Sequence, residues 1–304
     1  MNSFFDIIVS ETFAYSILRV STPIIFAAMA SLVSKKAGVN NISLEGTMLF
    51  SALIGVLASA YTQSVLLGLL GAVTIGVGIS LVLGYCSIRL KSDIFLVGIA
   101  INAFASSATV FLLYLCTGDK GSSATLPSLA VPKVSLPLVR DIPVLGTILS
   151  EHNVLTYGAL VSVLLVSVFL YRTRAGLRMR AVGEYAAAAS SVGIRPTQMQ
   201  YLALCICGVL CGLAGAFMSM GYATWFSRDM IAGRGFIAIA ASAMGRDTPL
   251  GTLLASLIFG AADALSNSLQ IFDVSSDLIL MIPYLTTIIG ITLYSIKARR
   301  KKHG

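Results

Sequence analysis

The sequence predicts an all-α membrane protein, a polytopic helical bundle with about eight membrane-spanning helices. Most of eight apolar stretches supply the roughly 20 apolar residues that a spanning helix needs. Charged residues make up only 11% of the 304 residues, whereas a soluble domain carries about 25%. The basic residues also sort to one side of the predicted membrane. The stretches are residues 12–34, 42–60, 65–88, 94–116, 154–171, 199–222, 250–269 and 277–296.

The distribution of positive charge predicts the orientation. With the basic run at residues 297–302 placed in the cytoplasm, alternating crossings put 15 of the 21 basic residues inside. An excess of Lys and Arg in cytoplasmic loops fixes orientation during insertion, so we expect a multi-pass protein of the inner or plasma membrane with a cytoplasmic C-terminus. The net charge of +8 then reflects topology rather than nucleic-acid binding. The inside residues are Lys35, Lys36, Arg89, Lys91, Arg172, Arg174, Arg178, Arg180, Arg195, Arg246 and five in the C-terminal run.

Residues 1–304 are expected to form a single transmembrane domain with two informative loops. The external loop, residues 117–153, contains four prolines and is either a connector or a surface for an external partner. The cytoplasmic loop, residues 172–198, contains Gly176, a helix-forming stretch at 184–189, Gly193 and then Pro196. A short helix flanked by glycines on the basic side indicates either a docking element or an ordinary interfacial helix.

Small residues recur at helix-packing intervals in three of the spans. This spacing predicts close backbone contact between helices, and it says nothing about the solute. The sets are Gly68, Ala72 and Gly76 in the third span, Gly208, Cys211, Gly212 and Gly215 in the sixth, and Gly260 and Ala264 in the seventh.

Polar residues inside the spans give the candidate site, because such groups are costly in a membrane unless they face protein or water. The seventh span carries Asp263, Asn267 and Gln270 on one helical face, and the fourth carries Asn102, Ser106 and Thr109 at similar spacing. The second span begins with Asn40 and Asn41, then Ser43 as a possible N-cap and Glu45 in the first turn. Two interpretations remain open for these groups, a solute pathway and hydrogen bonding between helices. The candidate pathway residues are Asn40, Asn41, Glu45, Asn102, Asp263 and Asn267. Arg19, in the first span, is expected to snorkel or to pair locally.

Several kinds of site are not indicated. The chain lacks GxxxxGK[ST], HExxH and GxSxG patterns, so neither an ATP site nor an enzyme is predicted, and no cofactor is expected. The five cysteines all lie in apolar segments without a CxxC pair, which favours buried apolar side chains over a metal site. The run Gly233-Arg234-Gly235 is an incomplete glycine pattern and does not indicate a nucleotide site.

Four blocks of sequence resemble the ABC importer permeases of the simple-sugar and nucleoside class, a superfamily that includes ribose and branched-chain amino acid permeases. Residues 37–52 are similar to GVxNIGxEGxMLxGA, with Ser43 in place of the second glycine. Residues 93–107 are also similar to the fourth span of this family, and Asn102 falls at the position of the family's Asn. Residues 181–194 are similar to the cytoplasmic coupling pattern AVGENPxAAxxxGI, with Tyr185 and Ala186 in place of Asn-Pro. Residues 233–251 are similar to GxGYIAIAVAxLGRxxPxG, a pattern of the nucleoside branch.

The resemblance implies a permease subunit of an ATP-driven importer of nucleosides or related simple sugars. Its implied partners are cytoplasmic ATPase subunits, a second, related permease chain and an external solute-binding protein or lipoprotein. Coupling to the ATPase is assigned by the match to Gly183, Glu184, Ala187, Ala188 and Gly193. Residues 236–244, and the start of the second span, are expected to be half-membrane helices. The alternative from the residues alone is a secondary transporter or channel for a small polar solute, which would not need the docking segment.

Overall fold

The computed structural model describes residues 11–134 and 150–269, with positions 285 and 292. The predicted eighth span at 277–296, Gln270, the C-terminal basic run and residues 135–149 of the external loop lie outside these described ranges. Within them the chain forms ten helices and one two-stranded antiparallel sheet. The helices are α1 Glu11–Lys36, α2 Leu44–Thr62, α3 Val65–Gly84, α4 Ile94–Thr117, α5 Val154–Arg172, α6 Arg174–Glu184, α7 Ala186–Ser191, α8 Pro196–Ala216, α9 Arg234–Met244 and α10 Pro249–Leu269; the strands are β1 Lys133–Val134 and β2 His152–Asn153.

Seven of these helices, all except α6, α7 and α9, are long and apolar enough to cross a membrane. α3 and α8 each end in a π-helical segment, Tyr85–Arg89 and Phe217–Tyr222 respectively. The predicted polytopic helical fold is thereby confirmed, and the first seven predicted spans agree with the observed helices to within a few residues.

α1, α2 and α8 form the centre of the bundle, where most of their side chains are buried. α3 and α4 lie at the periphery and expose apolar side chains such as Leu66, Leu96 and Phe104. Exposed leucine and phenylalanine in this quantity would be a liability in water, but they suit a lipid-facing surface.

The small-residue faces bring helix backbones into direct contact. A Cβ atom at Gly208 of α8 would lie 2.5 Å from the Cα atom of Val77 in α3, and one at Gly212 would lie 2.7 Å from the Cα atom of Val73. Gly76 of α3 meets the Gly208 carbonyl oxygen in the same way. α3 and α8 can therefore pack this closely only because these positions have no side chain, which confirms the predicted role of the small residues.

Helix direction alternates along the chain and separates two faces. One carries Lys35, Lys36, Arg89, Arg195 and Arg246 at or beyond helix ends and is called here the basic face. The opposite loop face holds the described part of residues 117–153, which packs on the connection between α8 and α9. There the Ser123 amide donates to the Phe226 carbonyl oxygen at 2.8 Å.

α2 and α9 both begin inside the bundle rather than at a face. A seven-residue non-helical stretch, residues 37–43, leads from the basic face to α2. α9 has 11 residues and is therefore about 16 Å long, roughly half of a ~30 Å hydrocarbon core. The chain turns at Ala232 and Gly233, both with positive φ, before α9 runs back to the basic face. The expected short helix at 236–244 is confirmed, with its start two residues earlier.

Candidate functional site

The N-terminal ends of α2 and α9 meet at the carboxylate of Glu45. One carboxylate oxygen accepts from the Gly233 amide at 2.8 Å and the other accepts from the Gly235 amide at 2.7 Å. Because Glu45 lies in the first turn of α2, a single negative charge faces the positive ends of two helices. Each end carries roughly half a unit charge, so the carboxylate neutralises both.

The close approach of the two helices requires glycine at position 235. A Cβ atom there would lie 2.5 Å from the amide nitrogen and 2.7 Å from the Cα atom of Glu45. Gly233, the N-cap residue of α9, has φ +79°, a conformation that favours glycine. The two glycines set aside in the sequence as an incomplete pattern are thus the means by which α9 reaches the carboxylate.

Asn102 of α4 fixes the start of α2 with both ends of its amide group. Its Oδ1 accepts from the Gly46 amide at 2.8 Å, and its Nδ2 donates to the Ile42 carbonyl oxygen at 3.0 Å. The first of these bonds satisfies one of the amides that every helix leaves unpaired in its first turn. Asn102 therefore performs the capping function that the sequence suggested for Ser43.

Ser43 does occupy the N-cap position of α2, but its side chain makes no capping hydrogen bond. Its hydroxyl and its amide both donate to Oδ1 of Asn41, each at 2.8 Å. Nδ2 of Asn41 in turn lies 3.2 Å from Sγ of Cys207 in α8. The prediction of a Ser43 side-chain cap was wrong because Oδ1 of Asn102 accepts from the Gly46 amide, the donor that a capping Ser43 hydroxyl would accept from.

A buried ion pair ties α9 to α10. Nη2 of Arg234 lies 2.8 Å from Oδ2 of Asp263, and the two side chains are 14% and 12% exposed. Nη1 of Arg234 also donates to the Ile231 carbonyl oxygen at 3.2 Å. One turn beyond Asn102, the Ser106 hydroxyl donates to Oδ1 of Asp229 at 3.0 Å. Asp229 is itself exposed, at 54% of its side chain. Arg234 and Asp263, with Glu45, Asn41 and Asn102, form a polar layer inside the bundle, named here the junction cluster.

A second candidate region lies on the basic face, where α6 and α7 form two short helices that join at Tyr185. Thr173 caps α6 by accepting from the Gly176 amide at 3.1 Å. Tyr185 is 68% exposed and Val192 is 74% exposed. An open cavity of about 320 Å³ lies beside Val192 and is lined in part by Arg178, Arg195 and Gln198. The predicted helix at 184–189 is displaced by two residues, and α6, which precedes it, was not predicted.

Comparison with known families covers nearly the whole chain. Residues 13–291 match the family described as branched-chain amino acid transport system / permease component. The chain belongs to this family. It is also similar to a Bacillus subtilis guanosine ABC transporter permease protein, NupQ, at 35% identity over 94% of this chain and 91% of the relative. A Lactococcus lactis nucleoside ABC transporter permease protein, NupC, is 32% identical over 93% of this chain and 92% of its own length. Among solved structures, PsaBC from Streptococcus pneumoniae in complex with Fab contains a chain of similar fold, with a TM-score of 0.51, 14% identity and 94% coverage of both chains.

In this permease the predicted pathway residues divide into two groups. Asn41, Glu45, Asn102 and Asp263 come together in the junction cluster, where each bonds to a neighbouring protein group. Asn40 and Asn267 lie elsewhere and are exposed.

Asn267 lines an open cavity of about 210 Å³ that also contains Arg19 and Tyr222. There Nη2 of Arg19 donates to the Tyr222 carbonyl oxygen at 2.9 Å, and the guanidinium lies over the Tyr222 ring. The expected local pairing of Arg19 is thereby confirmed.

Sequence reasoning missed Arg234 in the junction cluster and the exposed Asp229 that accepts from Ser106. The alternating crossings leave Arg234 out of the 15 residues predicted inside and in an external loop, although it lies directly before a short apolar run and 29 positions before an intramembrane Asp. A cation beside a run too short to cross, with a carboxylate in the next span, is a signal for a buried pair. Among the described residues no group of three or more His, Cys, Asp or Glu side chains could hold a metal ion.

Proposed function

We propose that this chain is a permease subunit of an ATP-driven importer that carries nucleosides across the cell membrane. The observation that carries the proposal is the similarity, over more than nine-tenths of the chain, to permeases named for guanosine and for nucleosides. The family as a whole is a family of transport permeases, and both relatives are named as ABC transporter components.

The charge balance of the junction cluster supports an uncharged solute. In other transporters the positive ends of interrupted helices bind anionic groups of the substrate. Here the ends of α2 and α9 already face Glu45, and Arg234 is already paired with Asp263. A free carboxylate or phosphate on the solute would find its electrostatic partners occupied. A nucleoside carries hydroxyl and amide groups without such a charge, whereas a branched-chain amino acid carries a carboxylate.

Asn41, Glu45, Asn102 and Asp263 accordingly shape the solute route by holding the broken helices. Asn40 and Asn267 are the members of the predicted set with exposed side chains that a solute could contact directly. The second permease chain that completes the route is a related copy, and an external binding protein or lipoprotein delivers the solute at the loop face.

The proposed ATPase contact is the surface of α6 and α7. Glu184, Ala187, Ala188 and Gly193 are exposed there, beside the exposed Tyr185 and Val192. Small side chains allow a partner to approach closely, and the two large apolar ones supply area that a partner would bury.

Orientation is tested by reporter fusions. Fusions within residues 172–195 and after Lys302 are expected to report the cytoplasm, and a fusion at Lys133 the exterior, because the basic residues sort to one side. An external signal from the 172–195 fusion would reverse the topology and remove the ATPase contact.

Function is tested by uptake of labelled guanosine in cells that carry this chain and its partner subunits. We expect uptake to be inhibited by excess unlabelled nucleosides and not by leucine, and to stop when the partner ATPase carries an inactive nucleotide site. Competition by free ribose would identify a sugar importer instead. Uptake that continued without any ATPase partner would identify a secondary transporter.

A further inference from the structure

The end of α6 touches the chain that leads to the junction cluster. A Cβ atom on Gly183 would overlap the Lys36 carbonyl oxygen and lie 3.2 Å from the Gly38 amide nitrogen. From the other side, a Cβ atom on Gly38 would lie 3.4 Å from the Gly183 Cα atom. The two backbones are therefore in direct contact. Residues 37–43, between α1 and α2, are named here the connector.

The connector is held at its start and near its end. The Val39 amide donates to the Ser34 carbonyl oxygen at 3.0 Å, and the Gly38 amide donates to the Lys35 carbonyl oxygen at 3.0 Å. Farther along, Asn41 bonds to Ser43 and lies against Cys207. These bonds leave the connector little freedom to absorb a displacement by bending.

Two residues beyond the connector lies Glu45, which holds the start of α9. A second contact joins the same region to the far end of α9, because Nζ of Lys35 lies 2.9 Å from Oδ1 of Asp247 in the turn before α10. The end of α1 and the connector therefore touch α6 on one side and both ends of α9 on the other.

We propose that a displacement of α6 and α7 by the ATPase reaches the junction cluster through the contact of Gly183 with the connector, in addition to the helices α5 and α8 that flank this segment along the chain. This inference rests on the proposed function. Gly38 and Gly183 are positioning residues: they touch no solute, but their lack of side chains keeps two backbones in contact. Movement of the connector shifts Glu45, and Glu45 carries the start of α9 with it.

The first test measures solute transported per ATP hydrolysed in the assembled, reconstituted importer carrying Gly38→Ala or Gly183→Ala. Gly38 has φ +78°, so alanine strains the connector, and a Cβ atom at position 183 forces the two backbones apart. We expect at least a fivefold fall in the transport-to-hydrolysis ratio for each variant. The ATPase should still co-purify with Gly38→Ala, because Gly38 is not part of α6 or α7, the proposed docking surface.

Two glycines elsewhere provide matched controls. Gly118 has φ +75° and Gly78 lies in α3, and a Cβ atom at either position would meet no described atom within 4 Å. Gly118→Ala therefore reproduces the backbone strain of Gly38→Ala, and Gly78→Ala reproduces a helical substitution, without a contact. Both control variants should keep the transport-to-hydrolysis ratio within about twofold of the wild-type value. An unchanged ratio in Gly38→Ala and Gly183→Ala would overturn the proposal.

The second test uses the wild-type complex, so it does not depend on the variants folding. Hydrogen–deuterium exchange is compared between the nucleotide-free complex and the complex with a non-hydrolysable ATP analogue. We expect the exchange rates of the amides of residues 39–43 and of residues 233–237 to change together when the ATP analogue binds. A change confined to the starts of α6 and α8 would overturn the proposal while leaving ATP coupling intact, whereas a wild-type complex that transports without hydrolysis would contradict the proposed function itself.

Discussion

The two helices that begin inside the bundle are held by different chemistry. The start of α2 is held by a neutral amide, Asn102, whose two bonds go to the chain on either side of the helix start. The start of α9 is held by a carboxylate that comes from α2 itself. Neutral hydrogen bonds contribute about 0.5–1.5 kcal/mol each, and bonds to charged groups about 1.5–3 kcal/mol.

The difference implies that the position of α9 depends on α2 more than the position of α2 depends on α9. The backbone at the start of α2 is held by Asn102 of α4, whereas the hydrogen bonds from the start of α9 go to the Glu45 side chain. α9 needs α2, because Glu45 is its acceptor. A change at the α2 start should therefore disturb both helices, whereas a change at the α9 start should leave α2 in place.

The largest effect is expected for Glu45→Ala. Removing the carboxylate leaves the Gly233 and Gly235 amides without their acceptor, and the positive ends of α2 and α9 then face each other. We expect the free energy of unfolding to fall by about 3–6 kcal/mol. Chemical unfolding of the purified permease in detergent measures the loss, and guanosine uptake should be abolished. Glu45→Gln keeps the size and one acceptor oxygen and should lose less. Wild-type stability in Glu45→Gln would contradict a role for the charge.

The next largest effect is expected for Asp263→Leu, on the α9 side of the comparison. It leaves the Arg234 guanidinium buried without its partner, and breaking a buried pair in this way costs about 3–5 kcal/mol. Uptake should fall while membrane insertion, measured by fractionation, is kept. The double variant with Arg234→Met should recover part of the stability. A double variant less stable than Asp263→Leu would argue that Arg234 has another partner.

A smaller loss is expected for Asn102→Leu, at the start of α2. The Gly46 amide and the Ile42 carbonyl lose their partner, and two neutral hydrogen bonds at about 0.5–1.5 kcal/mol each give a loss of about 1–3 kcal/mol in total. Asn102→Gln keeps both an amide oxygen and an amide donor and should retain more stability and uptake. Wild-type uptake in Asn102→Leu would show that this amide only packs between helices.

The smallest effect is expected for Lys35→Ala, which tests the far end of α9. The pair with Asp247 is partly exposed, and such pairs contribute less than about 1 kcal/mol. The free energy of unfolding should be nearly unchanged. Substitution of the neighbouring lysine, Lys36→Ala, is the control. A loss comparable to that of Asn102→Leu would mean that α9 is held from both ends.

The sequence predicted the helices well because bilayer-spanning segments depend on composition over about 20 residues, and composition is local information. It also selected Glu45, Asn102 and Asp263, because polar groups stand out in apolar segments. It did not predict what they bond to. The partners of Glu45 are backbone amides 188 and 190 positions away, and only the approach of Gly235 makes them available.

Two other differences have equally physical reasons. The Ser43 cap failed because Asn102, 56 positions from Gly46 in the chain, accepts from the Gly46 amide, and this approach depends on tertiary structure. Asn267 shares a helical face with Asp263, but in the structure it lines the cavity beside Arg19, since four residues along a helix move a side chain by about 6 Å. Spacing places two groups on one face but does not place them in one site.

The contact between Gly76 of α3 and Gly208 of α8 has a consequence for biosynthesis. Gly76 and Gly208 are separated by 132 residues in the sequence. At about 5–20 residues per second, roughly 7–26 s pass between the synthesis of the two halves of this contact. During that interval Gly68 of α3 can already meet Gly55 of α2, but Gly76 still lacks its partner on α8. Slowing translation between these positions should therefore lengthen the time during which the nascent chain is open to membrane proteases.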